Sequence, residues 1–261
     1  MEILKRIIIL FIFASPLFGQ FGQIPFGHVT AAAAGFLPTD LGNLQLWFRA
    51  SSFSGSDGSV ISTNWLDESG NSNDATVNGT PTLELAEING EPTVRFDGST
   101  DYFDTAFDTT QFISCYVVYN AQPTGHHSVV SALHSAATVS GWNVRTHNTQ
   151  DVIGRIGDGV TQTADVSASG RAGDRPFEIV SFLLDNSITD ATWYIDGVSE
   201  ANTGAQNIKH ENKLFAIGSF FTNSMSFLHL GDIAEVIVYN VYHNSANQDL
   251  VETYLTTKYN L

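Results

Sequence analysis

The chain has 261 residues, 43% of them hydrophobic and only 15% charged, and carries a net charge of −16. Such a length and apolar content make one sizeable core and exclude a disordered or wholly membrane-embedded chain. With 11 Lys and Arg against 27 Asp and Glu, there is no cationic cluster to neutralise phosphates, so nucleic-acid binding is set aside.

At the N-terminus, a short basic stretch containing Lys5 and Arg6 precedes an apolar run from Ile7 to Phe13 and a turn-forming Pro16. This pattern predicts a secretory signal peptide over residues 1–19, cut after Gly19. The run is too short for a comfortable bilayer span, which takes about 20 residues. An uncleaved anchor is the rival reading, because Phe21, Ile24 and Phe26 keep the region apolar. Residues 20–40, rich in Gly and Ala, read as a linker or a surface arm through which the protein could form homo-oligomers.

From residue 41 onward the chain reads as one domain. Residues 44–50 predict a first strand with Leu44, Leu46 and Phe48 on one face. A Ser/Gly segment follows, then a turn-dense loop over 64–75. Residues 92–103 predict a strand, an Asp97-Gly98 turn and the start of another strand. Further strands are expected at 112–120, 128–133, 141–146, 152–157, 177–185, 192–195 and 213–219. Short strands punctuated by Gly, Asn and Asp indicate an all-β sandwich or barrel rather than βαβ units. Residues 228–240 are apolar on both faces, with Ile233, Ile237 and Tyr239 on one side and Ala234, Val236 and Val238 on the other. That makes them an inner strand. One helix closes the chain, capped by Ser245 with Gln248 as its capping-box partner. Leu250, Val251, Tyr254, Leu255 and Lys258 form its stripe. Cys115, the only cysteine, excludes an intrachain disulfide and reads as a buried, inert thiol.

Four segments in order, Leu-Trp-Phe-Arg-Ala (46–50), Trp-Leu-Asp-Glu-Ser-Gly-Asn-Ser-Asn-Asp-Ala (65–75), Val-Arg-Phe-Asp-Gly-Ser-Thr-Asp-Tyr-Phe (94–103) and Gly-Asp-Ile-Ala-Glu-Val-Ile-Val-Tyr-Asn (231–240), resemble a known family. With the ending at 251–259, they are similar to the laminin-G-like branch of the concanavalin A-like lectin/glucanase superfamily. The resemblance covers residues 41–261. It implies a jelly-roll sandwich of two antiparallel sheets with one short C-terminal helix. Such domains occur on secreted enzymes, adhesins and phage virion proteins, often as glycan- or protein-binding modules and sometimes with calcium.

The glucanase branch places three carboxylates at alternating positions of one strand. Here Asp232 and Glu235 are three apart, so on a regular strand they face opposite sheets, and Leu230 and Ala234 stand where further acids would be. The hydrolytic pattern is missing, and Glu235 reads as a structural acid. Calcium has a candidate site at Asp97, Asp101 and Asp104, against the plain reading that these residues make turns. Asp67, Glu68, Asn71, Asn73 and Asp74 pose the same choice. For a ligand, residues 126–147 are dense in His and hold His126, His127, Trp142, Asn143, Arg145 and His147 as candidates. Trp47, Trp65 and Trp193 read as core. The expectation is a secreted, periplasmic or surface-exposed non-catalytic module binding glycan or an extracellular protein. The alternatives are a structural or assembly protein, such as an adhesin or virion component, and a divergent glycoside hydrolase.

Overall fold

The computed structural model describes residues 35–107, 112–122, 125–133, 140–146, 152–158, 162–168, 177–185, 190–202, 214–220 and 227–261. The expected signal peptide and most of the arm lie outside this set, as does His147. Among the described residues, sixteen strands, two single-turn 3-10 segments and one α-helix follow one another. The first six strands are β1 (Leu44–Arg49), β2 (Ser59–Val60), β3 (Thr76–Asn78), β4 (Thr82–Ile88), β5 (Glu91–Asp97) and β6 (Tyr102–Thr105). Next come β7 (Phe112–Ala121), β8 (His127–Leu133), β9 (Ser140–Thr146), β10 (Val152–Asp158) and β11 (Gln162–Ala168). The last five are β12 (Glu178–Asp185), β13 (Asp190–Ile195), β14 (Val198–Asn202), β15 (Phe215–Ile217) and β16 (Leu230–Tyr239), followed by α1 (Ser245–Tyr259).

They build two antiparallel sheets. One runs β14-β13-β12-β7-β16-β5-β4-β2, with β1 also paired to β16; the other runs β11-β10-β9-β8-β15-β6-β3. The sandwich core lies between them, where Phe48, Phe96, Val117 and Val236 of the first sheet meet Phe103, Trp142, Val144 and Phe215 of the second. A second apolar layer covers the other face of the nine-stranded sheet, where Val251, Leu255 and Tyr259 of α1 pack on Trp47, Tyr116, Ala234 and Tyr239. Both Trp65 and Trp193 are core residues, and Trp47 is buried under the helix. Cys115 faces the core, and burial pushes its thiol up.

Strand β16 is an inner strand, as its two apolar faces require. It pairs along one side with β7, and on the other side first with β5 (Leu230–Ile233) and then with β1 (Glu235–Tyr239). At that fork a bulge between Ile233 and Glu235 shifts the register. The extra residue exchanges the expected faces: Ile233 joins Val236 and Val238 in the core, whereas Ala234 joins Ile237 and Tyr239 beneath the helix. A second irregularity, between Leu44 and Leu46, puts Leu44 on the helix side rather than with Leu46 and Phe48.

The helix starts one residue earlier than expected. Asn244, not Ser245, is the N-cap, its side chain accepting from Asn247 N at 3.0 Å. Its buried face is Gln248, Val251, Glu252, Leu255 and Tyr259, because Glu252 accepts from Ser181 Oγ at 2.7 Å and Gln248 Nε2 at 3.0 Å. The arm's last residues join the fold: Phe36 packs edge-on to Tyr254, and Tyr239 donates to the Pro38 carbonyl at 2.9 Å.

Candidate functional site

The acids on β16 come first. The bulge turns Asp232 and Glu235 to the same outer side of the nine-stranded sheet, contrary to the regular-strand expectation. Glu235 is fully buried and accepts from four side chains: Trp47 Nε1 at 2.6 Å, Tyr254 Oη at 3.0 Å, Lys258 Nζ at 2.8 Å and Tyr259 Oη at 2.8 Å. Burial, and then the Glu235 charge, raise both phenols well above the ordinary tyrosine range. Asp232 takes a bidentate fork from Arg95, at 2.8 and 3.1 Å, and Glu84 approaches the same guanidinium at 3.2 Å. Burial raises the Asp232 carboxyl, and Arg95 opposes the rise. Each acid is committed to fixed donors, and neither lines either of the cavities described below.

The calcium candidates divide. Asp97 accepts from the N–H groups of Ser99, Thr100 and Asp101 and from the hydroxyls of Ser99 and Thr100. Partial burial pushes its carboxyl up, but the Ser99 and Thr100 donors outweigh this and hold it well below the usual range. Asp101 accepts from Thr80 N at 2.7 Å and Asp97 N at 3.0 Å, whereas Asp104 lies on β6 and accepts from Asn78 Nδ2 at 2.8 Å. Among the described residues no three His, Cys, Asp or Glu are grouped to hold an ion. The second acidic loop is a staple on β1: Asp67 accepts from Trp47 N at 3.0 Å and Asn73 N at 3.0 Å, and Asn71 Nδ2 donates to Leu44 O at 2.8 Å.

The His-rich candidates are only partly brought together. Trp142 is fully buried in the core, its ring 4.7 Å from Phe182, and so presents no face to a ligand. Asn143 and Arg145 lie on the opposite side of β9, both buried. His126 and Arg145 both pack on Phe227, and His127 reaches the next residue, Leu228. The Arg145 guanidinium sits 5.7 and 5.8 Å from the Phe220 and Phe227 rings, and His127 Nδ1 bonds Leu228 O at 2.9 Å.

A site that the sequence reading missed opens where edge strand β2 of one sheet lies beside the crossing to β3 of the other. It is a cleft of about 620 Å³ between the turn after β1 and residues 59–66, floored by Ile61 and Leu83. Ser52, Ser54, Ser59, Ser62 and Thr63 line it, and among the described residues none of their hydroxyls makes a protein hydrogen bond. Phe53 presents a half-buried ring, held from behind by Trp65 (5.6 Å) and Phe103 (6.3 Å). Val60 and Leu66 are exposed beside it, and Asp74 is the one acid in the lining. The visible signal was the density of small hydroxyl residues, seven between 51 and 63, with Phe53, Val60 and Ile61 among them. A second, smaller hollow of about 280 Å³ lies at Asn78, Gly79, Ser99, Thr100 and Tyr102.

No protein-family model matches the chain, and no curated protein does. Solved structures do match. Domain 4 of AbnA, a GH43 extracellular arabinanase from Geobacillus stearothermophilus solved with arabinotriose, is similar at 15% identity over 81% of this chain and 98% of that one, with a TM-score of 0.59. The shared feature is the two-sheet sandwich. A botulinum neurotoxin type C structure, from work on cell entry through two ganglioside molecules, is 10% identical over 83% of this chain and 52% of that one, at 0.59. The binding domain of Paraclostridial Mosquitocidal Protein 1 is 13% identical with the same coverage and TM-score. The chain spans about half the length of these toxin structures, and at such identities the likeness is one of fold.

Proposed function

We propose that the chain is an extracellular, non-catalytic module of the laminin-G-like type that binds a neutral glycan in the cleft beside β2. The observation that carries this reading is the cleft's lining. It holds five hydroxyls with unspent hydrogen-bonding capacity, the Asn64 amide, a supported aromatic ring and a single acid. A few placed polar groups around apolar surface, in a volume of about 300–1,000 Å³, are what small-ligand sites provide. A sugar, apolar on its ring faces and polar at its rim, matches that mixture. The net charge of −16 repels uronic, sulfated or sialylated chains, which favours an uncharged ligand. The similar fold of an arabinanase domain solved with arabinotriose supports a carbohydrate over other ligands.

A glycan array tests this. The expected result is retention on neutral polysaccharides, with Phe53→Ala lowering affinity about tenfold, the effect of losing an aromatic contact. Absence of any retained glycan overturns the reading, and release of reducing sugar by the purified protein replaces it with the hydrolase. Repeating the array in EDTA reads out whether binding needs calcium, and Asp97→Asn then tests the Asp97–Asp104 region as its site.

A further inference from the structure

We propose a second subsite around Tyr102, which makes the open edge of the sandwich a track for an extended polysaccharide chain rather than a pocket for a sugar end. This rests on the glycan reading of the larger cleft. Strand alternation sends Phe103 into the core and leaves Tyr102 on the outer face, half-exposed and without an aromatic partner among the described residues. Asn78 stands directly opposite it in the β3–β6 pairing, so the two side chains are neighbours. The Asn78 amide nitrogen donates to Asp104 Oδ1 at 2.8 Å and to Thr76 O at 3.2 Å, which orients its carbonyl oxygen away from those partners, with no donor among the described residues.

Asp97 orients the adjoining hydroxyls. Ser99 Oγ and Thr100 Oγ1 spend their hydrogens on that carboxylate at 2.6 and 2.9 Å, so both present lone pairs outward. The hollow therefore combines an aromatic face with three oriented acceptors, suited to the hydroxyl hydrogens of a sugar. Its floor is tight, because Gly79 has φ +80° and a Cβ there would lie 2.3 Å from Asp101 Oδ1 and 2.6 Å from Thr100 O.

The two depressions share one short wall. Thr80 N donates to Asp101 Oδ1 at 2.7 Å, beside the smaller hollow, and Ile61 N donates to Pro81 O at 2.7 Å, beside the cleft. Residues 79 to 83 join them, a span of about 13 Å at most for extended chain. That is the scale of a few sugar rings.

Isothermal titration with trimers and octamers of arabinan, xylan and mixed β-glucan tests the track. Wild type is expected to bind the octamer of the recognised polymer more tightly than the trimer. Tyr102→Ala should lower octamer affinity about tenfold and leave trimer affinity unchanged. Asn78→Ala should do the same to a smaller degree, and unchanged thermal melting confirms folding for both. Phe53→Ala, by contrast, weakens both lengths. Equal affinity for both lengths, or an octamer affinity insensitive to Tyr102→Ala and Asn78→Ala, overturns the second subsite and leaves the cleft standing. Absence of binding to any trimer or octamer removes the glycan reading and this inference with it.

Discussion

The seam under the helix and the open edge of the sandwich both use carboxylates as collectors of hydrogen bonds, yet they differ in who donates. Glu235 gathers four side chains from β1 and α1 in a place that water does not reach. Asp97 gathers backbone and hydroxyl donors of its own turn, at the surface. In the first case the acid fastens distant parts of the chain, and its loss strands buried donors. In the second the acid shapes a short loop, and water can take its place. The seam is closed to water and the edge is open to it.

The largest break in that contrast is Glu235→Leu. Removing one partner of a buried ion pair should cost about 3–5 kcal/mol in urea denaturation. Adding Lys258→Met should recover part of the loss by removing the stranded charge. A loss below about 1 kcal/mol would show that the seam is no stiffer than the edge.

Acid should also strike the buried interior before the edge: His229 lies in the sandwich core against Phe96 and Tyr119, and His243 on the helix side against Tyr116 and Tyr239. His229 and His243 are buried, and burial lowers them to about 3 and about 4, with His127 adding to the effect on His229. The unfolded chain protonates both near 6.5, so the stability present above that pH drains away as pH falls toward the folded values. Between pH 7.5 and 4.5 each should forfeit about 2–3 kcal/mol, read as a falling melting temperature. His243→Gln should flatten its share of the slope. A profile indifferent to both histidines would contradict their burial as neutral rings.

The smallest effect belongs to the edge. Asp97→Ala should cost only about 1 kcal/mol or less, because the turn is exposed and its donors regain water. Its consequence should instead appear in octamer binding, since the Ser99 and Thr100 hydroxyls lose their orientation.

The architecture was largely legible in the sequence because alternation and turn residues report burial directly. The inner strand, most of the longer strands, the terminal helix and the buried Cys115 all follow from it. The missed strands have local reasons. In β4 the alternation breaks, with Ala86 at φ +57° and a register shift between Glu84 and Ile88, so its pattern reads as irregular. The bulge at Ile233–Glu235 is invisible to period-two alternation, which puts the two acids on opposite faces. Trp142 and Arg145 fell where alternation puts them, on opposite sides of β9. The cleft was hidden because serines in a loop look alike whether they face solvent or converge, and convergence is a property of the paired edges.

The fork in β16 also bears on how the chain acquires its shape. This strand follows every other described strand in sequence, yet it lies in the middle of its sheet. It joins β7 to β5 and β1, with partners such as Phe48 and Val236 nearly two hundred positions apart. Until it arrives, β1 and β5 have no neighbour to hold them beside β7, and the loop that must close is long, which slows folding. The topology predicts that the middle of the sheet closes last. A nascent chain lacking residues 230–239 should stay open and unfolded, the condition in which a polypeptide can still be threaded through a narrow pore.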